Sequence, residues 1–515
     1  MSRGWLLPGV ALVVTALVYA PTLDNYFFGD DFPDLADVAT KGTAQYLRDA
    51  FVVRSSSFYW RLLTRVLYLV EYRLFGLNPV PYHAVNLALH LGVVLLVYWW
   101  AREFTGRRAV AFLAALLFGI APTYTSASGG GGAVAWITAV HRLLGTFFFL
   151  LSLFLLQRYL KGGRADLRLA AGSLGSFLLT ILSDESAAVL MPVLALYAWL
   201  FHYGPRRDIK GFALLMAPFA LSAVLAIAFL YYIQIGRPYL RATDYKLGWH
   251  MARNFWIYLG RFAFPVGAGY SSPGSWWPIH RVGGIIIGAL GLYFLVRGPS
   301  RARFLVLWFP VVLLPFLPWV PWTPGRYTYS AAIPFFVGIA IVGLWVYERA
   351  RRFSIRWATF GGVALAAAVV VLASALTVRT NSGFGLRSLS YEVLVEELNE
   401  ELPSAPSGSQ IYILNGIWEH RFDNLIWLPA IGRTLYGPKT FLKNLHRGDC
   451  AQRAASATTR RFVLRYVHKE LERAPLQELE SATVASMGCP SAGGNAVELW
   501  YLGGVGDGSI HGLPR

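Results

Sequence analysis

Apolar residues recur along this chain in runs long enough to cross a membrane as helices, and polar residues gather in the connections between them. A crossing helix needs roughly 20 mainly apolar residues. About eleven segments meet or approach that length, with cores near 5–23, 82–101, 109–123, 136–157, 168–183, 186–203, 211–233, 281–297, 302–318, 326–347 and 357–378. Beyond residue 378 the pattern changes. Apolar runs shorten, charges mix, and "LPSAPSGSQ" supplies a turn-rich break. "SLSYEVLVEELNEELP" has helical spacing, whereas "QIYILNG", "RRFVLRYV" and "AVELWYLGG" are short β-rich runs. The expected fold is a polytopic α-helical membrane protein, residues 1–378, followed by a small extracytoplasmic α/β domain, residues 379–515.

Two connections depart from plain spanning. The first, residues 24–81, holds "SSSFYWRLLTRVLYLVEYRLFGLNP", where Arg61, Arg65 and Glu71 interrupt an aromatic and aliphatic stretch. The second, within 234–280, holds "KLGWHMARNFWIYLGRFAFP". Both read as amphipathic helices lying in the membrane interface.

Composition agrees with a membrane protein: 56% of residues are hydrophobic and 14% charged, well outside the soluble range. The net charge of +18 first suggests a nucleic-acid partner. Its distribution argues otherwise, because the cations punctuate apolar helices and form no stripe on a soluble domain. They fall on alternate connections: Arg102, Arg107 and Arg108; Arg158, Lys161, Arg164 and Arg168; Arg206, Arg207 and Lys210; Arg297, Arg301 and Arg303; Arg349, Arg351, Arg352 and Arg356. Positive loops stay on the cytoplasmic side. With Arg3 also inside, an odd number of spans places the region after 378 outside an inner, cytoplasmic membrane. The first segment lacks a convincing small-residue cleavage site and is expected to be retained.

The candidate chemistry lies on the outer face. "FFGDDFPDL" sets Asp30 and Asp31 just past the first span, where acids at a helix end serve either as caps or in catalysis. Asp184 and Glu185 in "SDES" form a second acid site in a tight turn, with Ser183 available to cap the next helix. Arg61, Arg65, Arg142 and Arg326 can bind phosphate through paired, charge-assisted hydrogen bonds or snorkel to the interface. His141 precedes Arg142 and reads as a phosphate or acceptor contact or as a solvated boundary residue. His83, Asn86 and His90 share one helical face, which favours hydrogen bonding between helices over a metal site. "GGGG" at 129–132 lacks the Lys-Ser/Thr of a phosphate-binding loop. Cys450 and Cys489 are the only cysteines. They would pair in an oxidising compartment if their Cα atoms came within roughly 7 Å, and otherwise are buried thiols.

"FYWRLLTRVLYLVEYRLFGLNPVPYHAVNLALHLGVVLLVYW", "ALLFGIAPTYTSASGGGGAVAWITAVHRLLGTFFFLLSLFLL", "LLSDESAAVLMPVL" and "GRYTYSAAIPFF" resemble the GT-C class of integral-membrane glycosyltransferases. The nearest likeness is to bacterial relatives of the protein O-mannosyltransferases, over roughly residues 20–350, and "GLNPVPYHAVNLALH" is its most specific part. No tetratricopeptide repeat is evident, which sets this chain apart from relatives that carry them. The resemblance implies transfer of a monosaccharide, with mannose among the candidates, from a polyprenyl-phosphate carrier to a hydroxyl on a protein, lipid or envelope glycan. It implies that Asp30 or Asp31 is the general base and that a divalent cation has a place beside the acid pair in some relatives. Arg142 and Arg326 match the family's phosphate-binding positions best. Glu185 fits a family Lys-Glu pair but Asp184 stands where the lysine is expected, so the missing charge must come from elsewhere. Two other readings remain: a lipid or glycan transporter or flippase, and a GT-C-like binding protein without catalysis.

Overall fold

The computed structural model describes residues 5–52, 60–125, 132–234, 246–265, 277–320, 323–401, 410–414, 428–437, 441–445, 460–466 and 497–503. A helix coincides with each of the eleven expected cores. Eight are long and apolar enough to cross a membrane: Leu6–Asp24, Pro79–Thr105, Ile137–Lys161, Glu185–Arg206, Ile209–Tyr232, Pro278–Arg297, Gly325–Ala350 and Ile355–Glu396. The apolar helices Arg108–Tyr124 and Leu167–Ser183 are shorter, and Ser300–Leu313 has 14 residues. At 1.5 Å per residue the last spans about 21 Å, less than the roughly 30 Å hydrocarbon core.

By contact the chain divides into two units. The first comprises Met1–Asn25, Asp49–Leu67 and Asn78–Leu386, and the second Tyr26–Arg48, Tyr68–Leu77 and Arg387–Arg515. The expected division at 378 differs in two respects. The helix Ile355–Glu401 runs on without a break through that position. The acid-pair segment belongs to the same unit as the C-terminal region, where a helix continuous with the last apolar run gives it a surface to fold on.

In the first unit, the helix Pro79–Thr105 begins where Asn78 Oδ1 accepts the Val80 N–H at 3.2 Å and Pro79 opens the first turn. Both features favour a helix start, and they account for the "GLNPVP" signature. Asn86 then donates to the carbonyls of Val134 and Trp136 at 3.3 and 3.0 Å. His90 Nε2 donates to Gly119 O at 3.0 Å, leaving Nδ1 to accept from the Tyr329 hydroxyl at 2.7 Å. The polar face expected to join helices does so through these two residues, while His83 is buried. Trp100, Phe104, Phe304 and Trp308 interlock below as an aromatic core.

In the second unit, Phe28 and Phe32 pack on Tyr391 with ring centroids 5.5 and 5.2 Å apart. The Tyr26 N–H donates to Ser388 Oγ at 3.1 Å, and the Tyr436 hydroxyl donates to Leu398 O at 3.1 Å. Strand β1, Gln410–Leu414, pairs in parallel with β2, Phe441–Leu445. Strand β3, Arg460–Tyr466, pairs in parallel with β4, Val497–Gly503. Each β-rich run in the sequence contains one strand. β2 was not anticipated, because Lys443 and Asn444 give "FLKNL" little intrinsic strand preference and only its partner selects it.

Candidate active site

The helix Leu62–Phe75 departs from a simple interfacial pattern: Arg65 and Glu71 are both buried. Burial pushes the Glu71 carboxyl up to about 8, with the nearby Asp31 charge adding to the effect. Asp31 itself is 1% exposed and its Oδ2 accepts the Phe28 N–H at 2.8 Å. The turn between them uses Gly29 at φ +60°, a left-handed value that glycine reaches without strain. Asp30, by contrast, is exposed at the N-cap of the helix Asp31–Thr40. Two neighbours that look alike in sequence therefore have different environments, one tying the turn and the other open to solvent.

The remaining candidates lie in the first unit, where two acid–arginine pairs share one turn. Arg61 Nε and Nη2 donate to Glu185 Oε2 and Oε1 at 2.7 and 2.8 Å, a bidentate pair. Arg142 Nη1 donates to Asp184 Oδ2 at 2.5 Å and to Ser186 Oγ at 2.6 Å. The other Asp184 oxygen accepts the Ser186 N–H at 3.0 Å and its hydroxyl at 2.7 Å, capping the 3-10 turn Glu185–Leu190. Asp184 is the cap, where Ser183 was the candidate. The Ser183 hydroxyl instead donates back to Leu179 O, and its carbonyl accepts from Thr64 Oγ1.

His141 Nδ1 donates to Thr138 O at 2.7 Å, leaving Nε2 as the acceptor nitrogen. Arg61 Nη1 stands 3.4 Å from that Nδ1. Both nitrogens carry hydrogens, so this is a contact without a hydrogen bond.

Arg326 differs from Arg61 and Arg142, which are paired with acids. Its guanidinium lies 4.7 Å from the Trp136 ring centre and 5.2 Å from that of Tyr327. Among the described residues it has neither an acid nor a hydrogen-bond acceptor. Tyr327 stacks on Phe316 at 4.2 Å, and Arg142 covers Phe316 at 4.5 Å, so the stacked ring pair lies between the two guanidinium groups. A cavity of about 20 Å³ opens here, lined by Arg142, Asp184, Ser186, Phe316, Arg326 and Tyr327. That volume admits little more than one water-sized group.

One buried cation escaped the sequence reading. Arg261, on the helix His250–Ala263, is 1% exposed. A signal was present, since Asn254, Tyr258 and Arg261 recur at i, i+4 and i+7 on one helical face, and all three are buried. Cys450 and Cys489, and most of the glycine run, lie outside the described residues. Among the described residues, no three His, Cys, Asp or Glu side chains converge as a metal-binding group.

No family model matches the chain. It is 35% identical over 117 residues to the Protein O-mannosyl-transferase TMTC1 of Mus musculus, a match covering 22% of this chain and 12% of that protein. Among solved structures, it is similar to ArnT from Cupriavidus metallidurans bound to undecaprenyl phosphate, with a TM-score of 0.44 and 13% identity over 81% of this chain and 84% of that one. The apo state of the same protein gives a TM-score of 0.45 and 15% identity over 81% and 83%.

Proposed function

We propose that this chain is a GT-C-type glycosyltransferase that moves a monosaccharide from a polyprenyl-phosphate carrier to a hydroxyl acceptor at the outer face of the membrane. The reading places the N-terminus in the cytoplasm and the C-terminal domain in the periplasm or an equivalent compartment. Mannose is the first sugar to test, and the acceptor is a protein, lipid or envelope glycan. The observation that carries the reading is Arg326, a cation held between aromatic rings with no acid or acceptor among the described residues, beside arginines already neutralised by acids. The mouse relative's name and the motifs shared with the family support it.

In the proposed reaction, the acceptor hydroxyl loses its proton to the Asp30 carboxylate as its oxygen bonds to the anomeric carbon. The bond from that carbon to the carrier phosphate breaks on the opposite side, giving inversion. The departing phosphate gains charge, which the Arg326 guanidinium offsets. Asp31 serves as a positioning residue, because its oxygen already holds the Phe28 N–H. Arg61 and Arg142 hold the turn that carries Asp184 and Glu185.

The test is transfer from a panel of radiolabelled polyprenyl-phosphate sugars to membrane extracts, with a flippase assay run beside it. Asp30→Asn should lose on the order of 10²–10⁴ in rate while donor binding survives. Asp31→Asn should lose less. Full transfer by the double variant would overturn the mechanism, and lipid movement without transfer would favour a transporter.

A further inference from the structure

Two helix ends that the candidate site does not use meet around one histidine. The helix Val140–Lys161 runs out into a turn where Arg164 takes φ +66° and its N–H donates to Tyr159 O at 3.1 Å. The span Glu185–Arg206 ends likewise: Arg207 takes φ +54°, and the Asp208 N–H donates to Tyr203 O at 3.2 Å. Left-handed backbone is uncommon outside glycine, yet an arginine adopts it in both turns.

His202, 8% exposed, stands between the two ends. Arg164 Nε donates to its Nε2 at 2.9 Å, and Arg206 Nη1 stands 3.1 Å from the same atom. A neutral imidazole nitrogen accepts through a single lone pair, so one acceptor faces two guanidinium groups. Among the described residues the carboxylate in reach is Asp208. Its Oδ2 lies 3.5 Å from Arg164 Nη2, at the limit of a hydrogen bond, and its Oδ1 accepts the Gly211 N–H at 2.8 Å. Arg206 meets no acid among the described residues, and each helix end adds only a partial negative charge. The Tyr203 ring, 4.5 Å from the Arg164 guanidinium carbon, supports that side chain from below.

The setting is amphiphilic. Arg206 is exposed, and Leu167, Trp199 and Ile209 in the same turns leave large apolar side chains exposed as well. The cluster is remote from the candidate active site: the helix Leu167–Ser183 starts beside it and ends at Asp184, 17 residues or about 25 Å away.

We propose that Arg164 and Arg206 bind the phosphodiester headgroup of an anionic glycerophospholipid, whose acyl chains lie against Leu167, Trp199 and Ile209. Guanidinium forks match phosphate oxygens, and basic pockets between membrane helices take such headgroups. A soluble phosphate ester offers the same oxygens without the chains, and the experiment separates the two. The inference does not depend on the transferase reading.

The full chain in detergent would be titrated with brominated phosphatidylglycerol and brominated phosphatidylcholine, with glycerol 3-phosphate as competitor. Bromine quenches tryptophan at short range, and Trp199 shares the π-helical turn of His202. Phosphatidylglycerol should quench at lower concentration than phosphatidylcholine, and Trp199→Phe should remove that difference. Arg206→Gln, at an exposed position that costs little packing, should weaken phosphatidylglycerol on the order of 10-fold. Arg206→Lys should recover only part of the loss, because it lacks the fork. Arg168→Gln removes an equal charge from an exposed position nearby and should cost much less. Equal losses in Arg168→Gln and Arg206→Gln, or full affinity in Arg206→Lys, would mean diffuse attraction and overturn the site. Equal quenching by the two lipids, or a difference that survives Trp199→Phe, would overturn it too. Displacement of phosphatidylglycerol by glycerol 3-phosphate at equal concentration would identify a soluble-anion site and overturn the lipid assignment.

Discussion

The Arg142–Asp184 pair offers a quantitative test of the turn at the candidate site. The two side chains are 10% and 5% exposed, so water screens them poorly and each depends on the other. Asp184→Asn keeps an oxygen able to cap the Ser186 N–H but leaves the guanidinium with Ser186 Oγ and two ring faces. Stranding a buried charge in this way costs about 3–5 kcal/mol. Arg142→Met keeps the apolar stem over Phe316 and strands the carboxylate, which retains both Ser186 donors. It also removes Arg142 Nε, a buried donor without a partner. Its cost should be smaller, about 1–3 kcal/mol. The double variant removes both charges and should lose no more than about 2 kcal/mol, since neutral replacement of an ion pair is often tolerated. Unfolding of the four proteins in detergent, followed by tryptophan fluorescence, closes the cycle. A coupling energy of at least about 2 kcal/mol is expected. Additivity within about 0.5 kcal/mol would refute the argument, because the two groups would then be solvated separately.

Glu71 should make stability depend on pH. Its folded value of about 8 lies above the ordinary carboxyl value, so the folded state holds a proton that the unfolded state releases between about pH 4.5 and 8. Stability should therefore fall as pH rises through that window. Glu71→Gln should flatten the profile, and parallel melting curves from pH 5 to 9 for the two proteins would contradict this. Arg326→Gln should weaken donor binding by about 10–100-fold while costing only about 1 kcal/mol of stability from lost ring contacts, as read by titration and melting. A single cysteine introduced into Leu428–Tyr436 of a cysteine-free variant should label from outside the cell, as the alternation of basic connections requires. Labelling from the cytoplasm would reverse the proposed topology.

The positions of the apolar helices were legible in the sequence because hydrophobicity and helical period are local properties, summed over neighbours along the chain. The same holds for the acid pair, whose residues are adjacent. Span count was less legible. Length alone separates Arg108–Tyr124, Leu167–Ser183 and Ser300–Leu313 from the eight longer helices, and the ends of a helix depend on what it meets. Pairing of charges was not legible at all. Arg61 reaches Glu185 across 124 positions and Arg142 reaches Asp184 across 42, and nothing in the spacing distinguishes them from Arg326, which meets only rings. Likewise, adjacent Asp30 and Asp31 differ because tertiary packing encloses one and leaves the other in solvent. Arg261 reads as another cation on an amphipathic helix until the close approach at Gly260 and the anchoring of Asn254 bury it. Local patterning determined which segments are helices. Desolvation and charge compensation, which exist only once distant segments meet, decided which arginines are paired with acids and which lie against rings.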